Sequence, residues 1–314
     1  MRIWRNLALG LFTVAALAIA GVRAEAKEIN IIVITHGQAS DPFWAVVKKG
    51  AEDAGREMHV NVTYRAPETF DMVAMAQLIT AAANQAPDGI VVSIPDADAL
   101  GQAIKGAVAT GIPVISINSG AEASKKLGAL LHVGQDEYTA GKAAGEKLAA
   151  LGGTKGICIN QEVGNVGLDQ RCKGFADGFG KPVKVLPTTM DPSETQSKVR
   201  ALLQSDPSVD TILCLGAATV GEPTVAAVKA MGLKKMPLIA SFDLSPGFLK
   251  AVAAGDAAFA IDQQPYLQGY LPIVFLALDA RYGLIPASSV ASGPNLITKD
   301  KAAKVIALSG ESIR

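Results

Sequence analysis

The sequence predicts an α/β fold of two similar lobes, each built on a parallel sheet. Short β-rich runs alternate with longer Ala-rich segments in which apolar residues recur every three or four positions. Most of the short runs are continuously apolar, which is typical of parallel strands that helices cover on both faces. The alternation begins again after Gly152-Gly153. The chain therefore uses the same strand–helix architecture twice.

The predicted strands follow in order along the chain, and helical periodicity fills the intervals between them. In the first half the strand-like runs are Ile29–Thr35, Val60–Tyr64, Gly89–Ile94, Pro113–Asn118 and Leu130–Gly134. In the second half they are Gly156–Asn160, Val183–Thr189, Thr211–Leu215, Pro237–Phe242 and Ala258–Asp262. The first two helical intervals are Pro42–Met58 and Asp71–Gln85. Strand–helix–strand alternation of this kind predicts parallel sheets.

The amino-terminal segment has the pattern of a secretory signal peptide. Arg2 and Arg5 precede the apolar run Leu7–Ala20, and Ala24-Glu25-Ala26 offers a cleavage site. The run is shorter than the roughly 20 apolar residues of a membrane-spanning helix. We therefore expect residues 1–26 to be removed and the mature chain to lie in the periplasm; a retained signal anchor is the alternative.

Charge and cysteine content exclude several classes of protein. The chain has 29 basic and 29 acidic residues, so no basic surplus favours nucleic acid or an anionic membrane surface as a partner. Three cysteines, Cys158, Cys172 and Cys214, are too few for a disulfide framework. One disulfide and one free thiol are compatible with an oxidising compartment, and the sequence does not choose the pair.

Polar side chains cluster directly after the predicted strands, where open parallel sheets bind ligands. These residues are His36, Gln38, Asp41, Asn118, Ser119, Asn160, Gln161, Asp243, Gln263 and Gln264. Phe43 and Trp44 lie in the first such turn, where an indole can stack on the C–H face of a sugar. Asp41 before Pro42 is also a suitable helix N-cap. A binding cleft at these strand ends is therefore predicted.

The sequence lacks the motifs that are typical of catalytic, dinucleotide-binding and metal-binding sites. No G-x-G-x-x-G follows the first strand, no G-x-S-x-G elbow occurs, and no cysteine has an evident histidine partner. The histidines, His36, His59 and His132, are scattered and lack ligand spacing. We therefore expect no catalytic residue, no cofactor and no metal site, and a protein that is not an enzyme.

At these positions the chain resembles the ribose-binding, pentose/hexose (type I) class of periplasmic solute-binding proteins. The matching segments include IIVITHGQASDPFWAVVKKGAEDAG, PDGIVVSIPDADAL, GIPVISINS, HVGQDEYTAGKAAGEKLA, DQRCKGF, PLIASFD and AIDQQPYLQG. The resemblance implies two Rossmann-like lobes joined by three crossing segments, near Gln135, Gln263 and Ala291. It assigns residues 27–134 and 263–290 to the amino-terminal lobe, and 135–262 and 291–314 to the carboxy-terminal lobe.

The resemblance also implies a set of ligand contacts. Carried over position by position, they are Asp41, Phe43, Trp44, Asn118, Ser119, Arg171, Asp243 and Gln263, to which His36 is added from its place after the first strand. Asn118-Ser119 stands where ribose binders have an Asp-Arg pair, Gly216 where the family often has Asn, and Met190 where it has an aromatic residue. These departures leave the fold expectation intact and argue against ribose itself.

The implied function is the substrate-binding component of a sugar ABC importer. Hinge closure would capture a neutral sugar or sugar alcohol, and the protein, as a monomer, would pass it to a membrane permease. Other classes remain open: the core of a sugar-responsive regulator, a binding protein linked to a chemoreceptor or to uptake of a signalling molecule, and, less favoured, an α/β enzyme.

Overall fold

The computed structural model describes residues 28–37 and 41–314. The predicted signal segment and Gln38 lie outside the described residues. Within the described part, strands and helices alternate, and the strands form two separate six-stranded sheets. The α/β fold with two parallel-dominated sheets and two lobes is confirmed.

The first sheet contains the strands of the first half of the chain and one short strand from near its end. Its spatial order is β11-β5-β4-β3-β1-β2, and its pairings are all parallel. The strands are β1 Asn30–Ile34, β2 Asn61–Arg65, β3 Gly89–Ser93, β4 Val114–Ile117, β5 His132–Gly134 and β11 Val290–Ala291.

The second sheet repeats this arrangement in the order β12-β10-β9-β8-β6-β7. The strands are β6 Gly156–Asn160, β7 Val183–Pro187, β8 Thr211–Cys214, β9 Leu238–Phe242, β10 Phe259–Asp262 and β12 Asn295–Ile297. Every pairing is parallel except that of β10 with β12. The edge strands β11 and β12 have two and three residues, too short for a periodic pattern to predict.

Helices cover both faces of each sheet. They are α1 Pro42–Glu57, α2 Met72–Ala83, α3 Ala97–Ala109, α4 Ala121–Ser124, α5 Glu137–Ala150, α6 Val166–Phe179, α7 Pro192–Ser205, α8 Glu222–Ala230, α9 Pro246–Ala254, α10 Pro265–Tyr282 and α11 Lys299–Gly310. Strands β3 and β4 are buried at every position because helices pack on both sides of them. Two hydrophobic clusters flank each sheet.

The chain passes between the sheets three times within the described residues. After β5 it enters α5, which packs on α6 beside the second sheet, and after β10 it enters α10, which packs on α1 beside the first. It leaves the first sheet again after β11 and joins the second at β12. These three short passages place the strand ends of both sheets opposite each other.

Glycines bring α5 and α6 into backbone contact. A Cβ at Gly141 would lie 2.2 Å from the carbonyl oxygen of Arg171, and one at Gly174 would lie 2.1 Å from that of Tyr138. A larger residue at either position would force the helices apart. This close approach sets the distance between side chains at the amino-terminal ends of the two helices.

A disulfide joins β6 to α6. Cys158 on the strand pairs with Cys172 on the helix, with their Cα atoms 5.7 Å apart. Cys214 is a free, buried thiol on the neighbouring strand β8. The structure thus selects one of the pairings that the sequence left open.

Within residues 28–37 and 41–314, no helix combines the length and the apolar character needed to cross a bilayer.

Candidate functional site

The site lies where the carboxyl ends of the two sheets face each other. The first lobe contributes His36 after β1 and Asn118-Ser119 after β4. The second lobe contributes Asp243 after β9, and Gln263 lies in the passage after β10. Parallel sheets place their ligands at these ends. The strand order therefore brings together residues that are far apart in sequence.

Two of these residues have left-handed backbone conformations. Asn118 has φ 59° and Asp243 has φ 67°, and each is the first residue after its strand. Asn and Asp tolerate this region better than other non-glycine residues, at a cost of order 1 kcal/mol. The turn at each position directs the chain sharply away from the sheet. Such outliers are typical of functional sites.

Arg171 is held rigidly in the wall of the second lobe. Its Nε and Nη2 atoms donate to the two carboxylate oxygens of Glu137, at 2.6 and 2.9 Å. The guanidinium carbon lies 4.3 Å from the centroid of the Phe242 ring. Both members of the ion pair are 3–4% exposed, so the pair is almost completely desolvated. Sequence reasoning missed Glu137, which occupies two of the three guanidinium nitrogens of the predicted ligand contact Arg171.

The guanidinium still has donor capacity. Nη1 makes a single long bond of 3.4 Å to the carbonyl oxygen of Leu215. An Nη1 group carries two hydrogens, so at least one is available to a ligand hydroxyl. Arg171 is therefore suited to a single point of contact rather than to a bidentate one.

A chain of hydrogen bonds links the two lobes through the second crossing. Gln263 donates from Nε2 to Oδ1 of Asp243 at 2.6 Å. Its Oε1 accepts from Nδ2 of Asn118 at 3.2 Å and from Nε2 of Gln268 at 3.0 Å. The position of Asp243 is thus coupled to the first lobe. Gln264, the other glutamine considered, instead donates to the carbonyl oxygen of Ser292.

His36 occupies the floor of the first lobe. Its Nδ1 lies 2.8 Å from Oγ of Ser93, and its ring packs edge to face against Trp44 and Phe70 at centroid distances of 4.7 and 5.8 Å. Burial, and the charge of Arg171, lower the pKa of His36 to about 3. The imidazole is therefore neutral at physiological pH.

The start of α6 forms a second connection between the lobes. Asn165, the N-cap of α6, has its Oδ1 3.1 Å from Oγ of Ser119 and its Nδ2 3.3 Å from Nε2 of His36. The backbone N–H of Val166 donates to the carbonyl oxygen of Pro95 at 2.9 Å. The lobes are therefore in contact along this edge of the cleft. Ser119 is fully buried and directs its hydroxyl at Asn118 and Asn165.

Asp41, Phe43 and Trp44 lie at the start of α1. Asp41 caps the helix by accepting from the backbone N–H of Phe43 at 2.9 Å, which confirms the predicted N-cap. Trp44 is 5% exposed, and a Cβ at Gly37 would fall 2.0 Å from its ring, so the indole lies directly on the backbone there. Phe43 packs against Trp44 in the hydrophobic core. These contacts hold the indole against the floor of the cleft.

The cleft has more carboxyl groups than cations. Burial raises the pKa values of Asp41, Glu162 and Asp243 to about 7 each. Asp41 and Asp243 are half-buried as whole residues, and burial of the carboxyl group is the largest cause of each shift. Arg171 opposes the shifts of Glu162 and Asp243, but Glu137 already neutralises its charge. A buried carboxyl group of this kind is stabilised either by protonation or by hydrogen bonds from hydroxyl donors.

Glu162 and Asn165 are site residues that sequence reasoning missed. Glu162 is 6% exposed, accepts from Nδ2 of Asn165 at 2.8 Å and lies 3.7 Å from Nε2 of His36. Both follow β6, and the rule that selected the residues directly after each strand extended only to Gln161. Within the described residues, no group of His, Cys, Asp and Glu is arranged to hold a metal ion.

Comparison with known proteins identifies a family match. Residues 20–280 match the family model described as "Periplasmic binding protein domain". The fold is similar to that of a carbohydrate transporter from Acidothermus cellulolyticus 11B solved in complex with myo-inositol, with TM-score 0.87 and 36% identity, covering 91% of this chain and 100% of that one. It is also similar to a periplasmic sugar-binding protein of an ABC sugar transporter from Legionella pneumophila, with TM-score 0.79 and 28% identity over 85% and 100% of the two chains.

A curated relative points the same way. The chain is 26% identical to the xylose/arabinose-binding protein of Sulfolobus acidocaldarius over 266 residues. The aligned part is 79% of this chain and 65% of that protein's length.

Proposed function

Because the chain belongs to the periplasmic binding protein domain family, we propose that it captures a neutral sugar or sugar alcohol between its lobes and delivers it to an ABC importer. The observation that carries the proposal is the composition of the cleft. The carboxyl groups of Asp41, Glu162 and Asp243 are close enough to influence one another, and the charge of Arg171 acts on Glu162 and Asp243. Carboxylates accept hydrogen bonds from hydroxyls, and Arg and Asn donate to them.

An anionic ligand does not suit this cleft. It would bring a further negative charge to a desolvated site in which Arg171 is already paired. Like charges in a low-dielectric environment are costly. Asn118-Ser119 also supplies no positive charge where ribose binders have an arginine, so the resemblance favours a polyol or a differently placed sugar over ribose. The structural neighbour that holds myo-inositol, an uncharged polyol, supports this ligand class.

The contacts proposed for the ligand are Asp41, Phe43, Trp44, Asn118, Arg171, Asp243 and Gln263, together with His36 and Ser119. Ser119 and His36 already bond to Asn165 across the cleft. They contribute to closure as well as to the cavity wall. We propose binding without chemistry as the role, because a similar protein is the periplasmic sugar-binding protein of an ABC sugar transporter.

Export is tested by the first residue of protein from the periplasmic fraction, which we expect near Lys27. Full-length protein confined to the cytosol would contradict export and favour a regulator.

Lobe closure is tested on the same protein. In solution X-ray scattering, a saturating neutral polyol should reduce the radius of gyration, because closure forms the Ser119–Asn165 and Pro95–Val166 contacts. A saturating ligand that leaves the scattering profile unchanged would contradict closure around the ligand.

A further inference from the structure

A loop closed by the disulfide contains three of the cleft residues that the second lobe contributes. The Cys158–Cys172 disulfide closes a segment with a sequence separation of 14 residues. Glu162, Asn165 and Arg171 lie inside this segment, whereas Glu137 and Asp243 lie outside it. The bond joins the strand that ends at the cleft to the helix that starts there.

The two cysteines are placed close to these side chains. Cys172 directly follows Arg171 on α6, and Cys158 lies on β6 two residues before Asn160, where the strand ends. Both cysteines are buried in the cluster between α5, α6 and the second sheet. The disulfide therefore fixes the height of α6 relative to the end of β6. That height sets how far Asn165 reaches into the cleft, and together with the Glu137 ion pair it sets the position of Arg171.

Leu168 packs in the same cluster as the two cysteines, and hydrogen bonds of Asn160 also hold the loop. Asn160 donates from Nδ2 to Oδ1 of Asp169 at 3.0 Å, and its Oδ1 accepts from the backbone N–H of Glu162 at 2.9 Å. The turn between them is exposed: Val163 is 66% exposed, and Gly164 has φ 95°. Such bonds each contribute about 1 kcal/mol net, so they resist displacement of the helix only weakly.

We propose that the Cys158–Cys172 disulfide is a positioning element of the ligand site, and that its loss weakens ligand binding beyond its effect on the stability of the fold. The inference rests on the proposed function. Glu162, Asn165 and Arg171 must be held in place before the ligand arrives, because ordering them on binding would reduce affinity. The disulfide supplies this preorganisation from the buried side of the helix, where Cys172 packs on the second sheet.

The test compares ligand affinity with thermal stability in matched variants. The first variant is Cys158→Ala/Cys172→Ala. The control is Leu249→Ala. Leu249 lies on α9 and is buried in the hydrophobic cluster on the opposite face of the second sheet from the disulfide, so its truncation leaves a cavity far from the cysteines. Affinity for erythritol, xylitol and myo-inositol is measured by calorimetry well below both melting temperatures. We expect the double variant to bind at least about tenfold more weakly than the wild type, and the control to bind as the wild type does despite its lower melting temperature.

If the double variant does not fold, the wild-type protein is treated with dithiothreitol. This dithiol reduces the disulfide to two thiols and is itself oxidised to its cyclic disulfide. Thiol titration after denaturation should then rise from one free cysteine to three. The reduced protein should show the same loss of affinity.

The outcomes separate the two proposals. Equal affinity with and without the disulfide would overturn the positioning role and leave the proposed function intact. An equal loss of ligand affinity in the Leu249→Ala control would also overturn the positioning role, since general destabilisation of the fold would then explain the result. Absence of binding by the oxidised wild-type protein would remove the basis of both proposals.

Discussion

Replacing Arg171 with alanine should lower the free energy of unfolding by about 3–5 kcal/mol and abolish measurable ligand binding at concentrations that saturate the wild type. The substitution leaves the Glu137 carboxylate buried without its cation, and an unpaired buried charge is far more costly than the intact pair is favourable. It also removes the guanidinium packed on Phe242. Denaturant unfolding and calorimetric titration measure the two effects.

Two further variants separate stability from binding. Lys173→Ala, two residues along α6, removes an exposed ion pair with Asp177 and a contact with the Tyr138 ring, and should leave the stability of the fold nearly unchanged. Arg171→Met combined with Glu137→Gln removes both charges, so it should recover much of the lost stability without recovering binding. Recovery of binding in this double variant would show that Arg171 supports the fold and does not contact the ligand.

Replacing Asp243 with asparagine should change binding and stability in opposite directions. Loss of a carboxylate acceptor for ligand hydroxyls should weaken binding by about 1.5–3 kcal/mol, roughly tenfold to a hundredfold. Asn tolerates the left-handed backbone, and its amide oxygen can still accept from Gln263. The change is therefore conservative in shape and removes mainly the charge.

The effect on stability depends on pH. In the closed arrangement of the lobes, burial raises the pKa of Asp243 from 3.8 to about 7. The folded protein therefore binds a proton more tightly than the unfolded chain does, and the free energy of unfolding falls as pH rises from about 4 to about 7. Asn cannot ionise, so Asp243→Asn should be more stable than the wild type at pH 8, by about 1 kcal/mol after allowance for its partial exposure, and nearly equal at pH 4.

Thermal unfolding at pH 4 and pH 8 checks this prediction under conditions in which the scattering profile shows closed lobes, because the pKa shift belongs to the closed form. The variant should retain part of the pH dependence of the wild type, because Asp41 and Glu162 have pKa values raised in the same direction. A variant that is less stable than the wild type at pH 8 would indicate that Asp243 serves the fold rather than the ligand.

Much of the fold could be predicted from the sequence because the buried parallel strands are continuously apolar. Runs such as Gly89–Ser93 and Gly156–Asn160 are fully buried, and the predicted and observed strands overlap closely there. The edge strands β11 and β12 could not be predicted, because each pairs through a few backbone groups and carries no periodic pattern. Tertiary contacts rather than local preference place them.

The cleft was less predictable than the fold. Residues directly after strands are visible in a sequence, and the structure brings Asn118, Asp243 and Gln263 together through hydrogen bonds. Glu137 and Asn165 lie at helix starts, and their pairing with Arg171 and Ser119 depends on how α5 and α6 pack. The close contacts at Gly141 and Gly174 determine that packing. A local sequence pattern does not predict which two helices such glycines bring into contact.

Ligand charge is the most direct test of the central claim that the cleft captures an uncharged polyol. Melting temperature is measured at pH 7.5 with matched pairs, such as xylitol with xylonate and glucose with gluconate, alongside erythritol, myo-inositol, ribose and amino acids. A ligand at one hundred times its dissociation constant adds about 2.7 kcal/mol to the folded state, which gives a clear thermal shift. We expect a tetritol, a pentitol, an inositol or an unusual pentose to raise the melting temperature more than ribose does, and the acids to have no effect. A shift produced only by sugar acids or amino acids would contradict the claim.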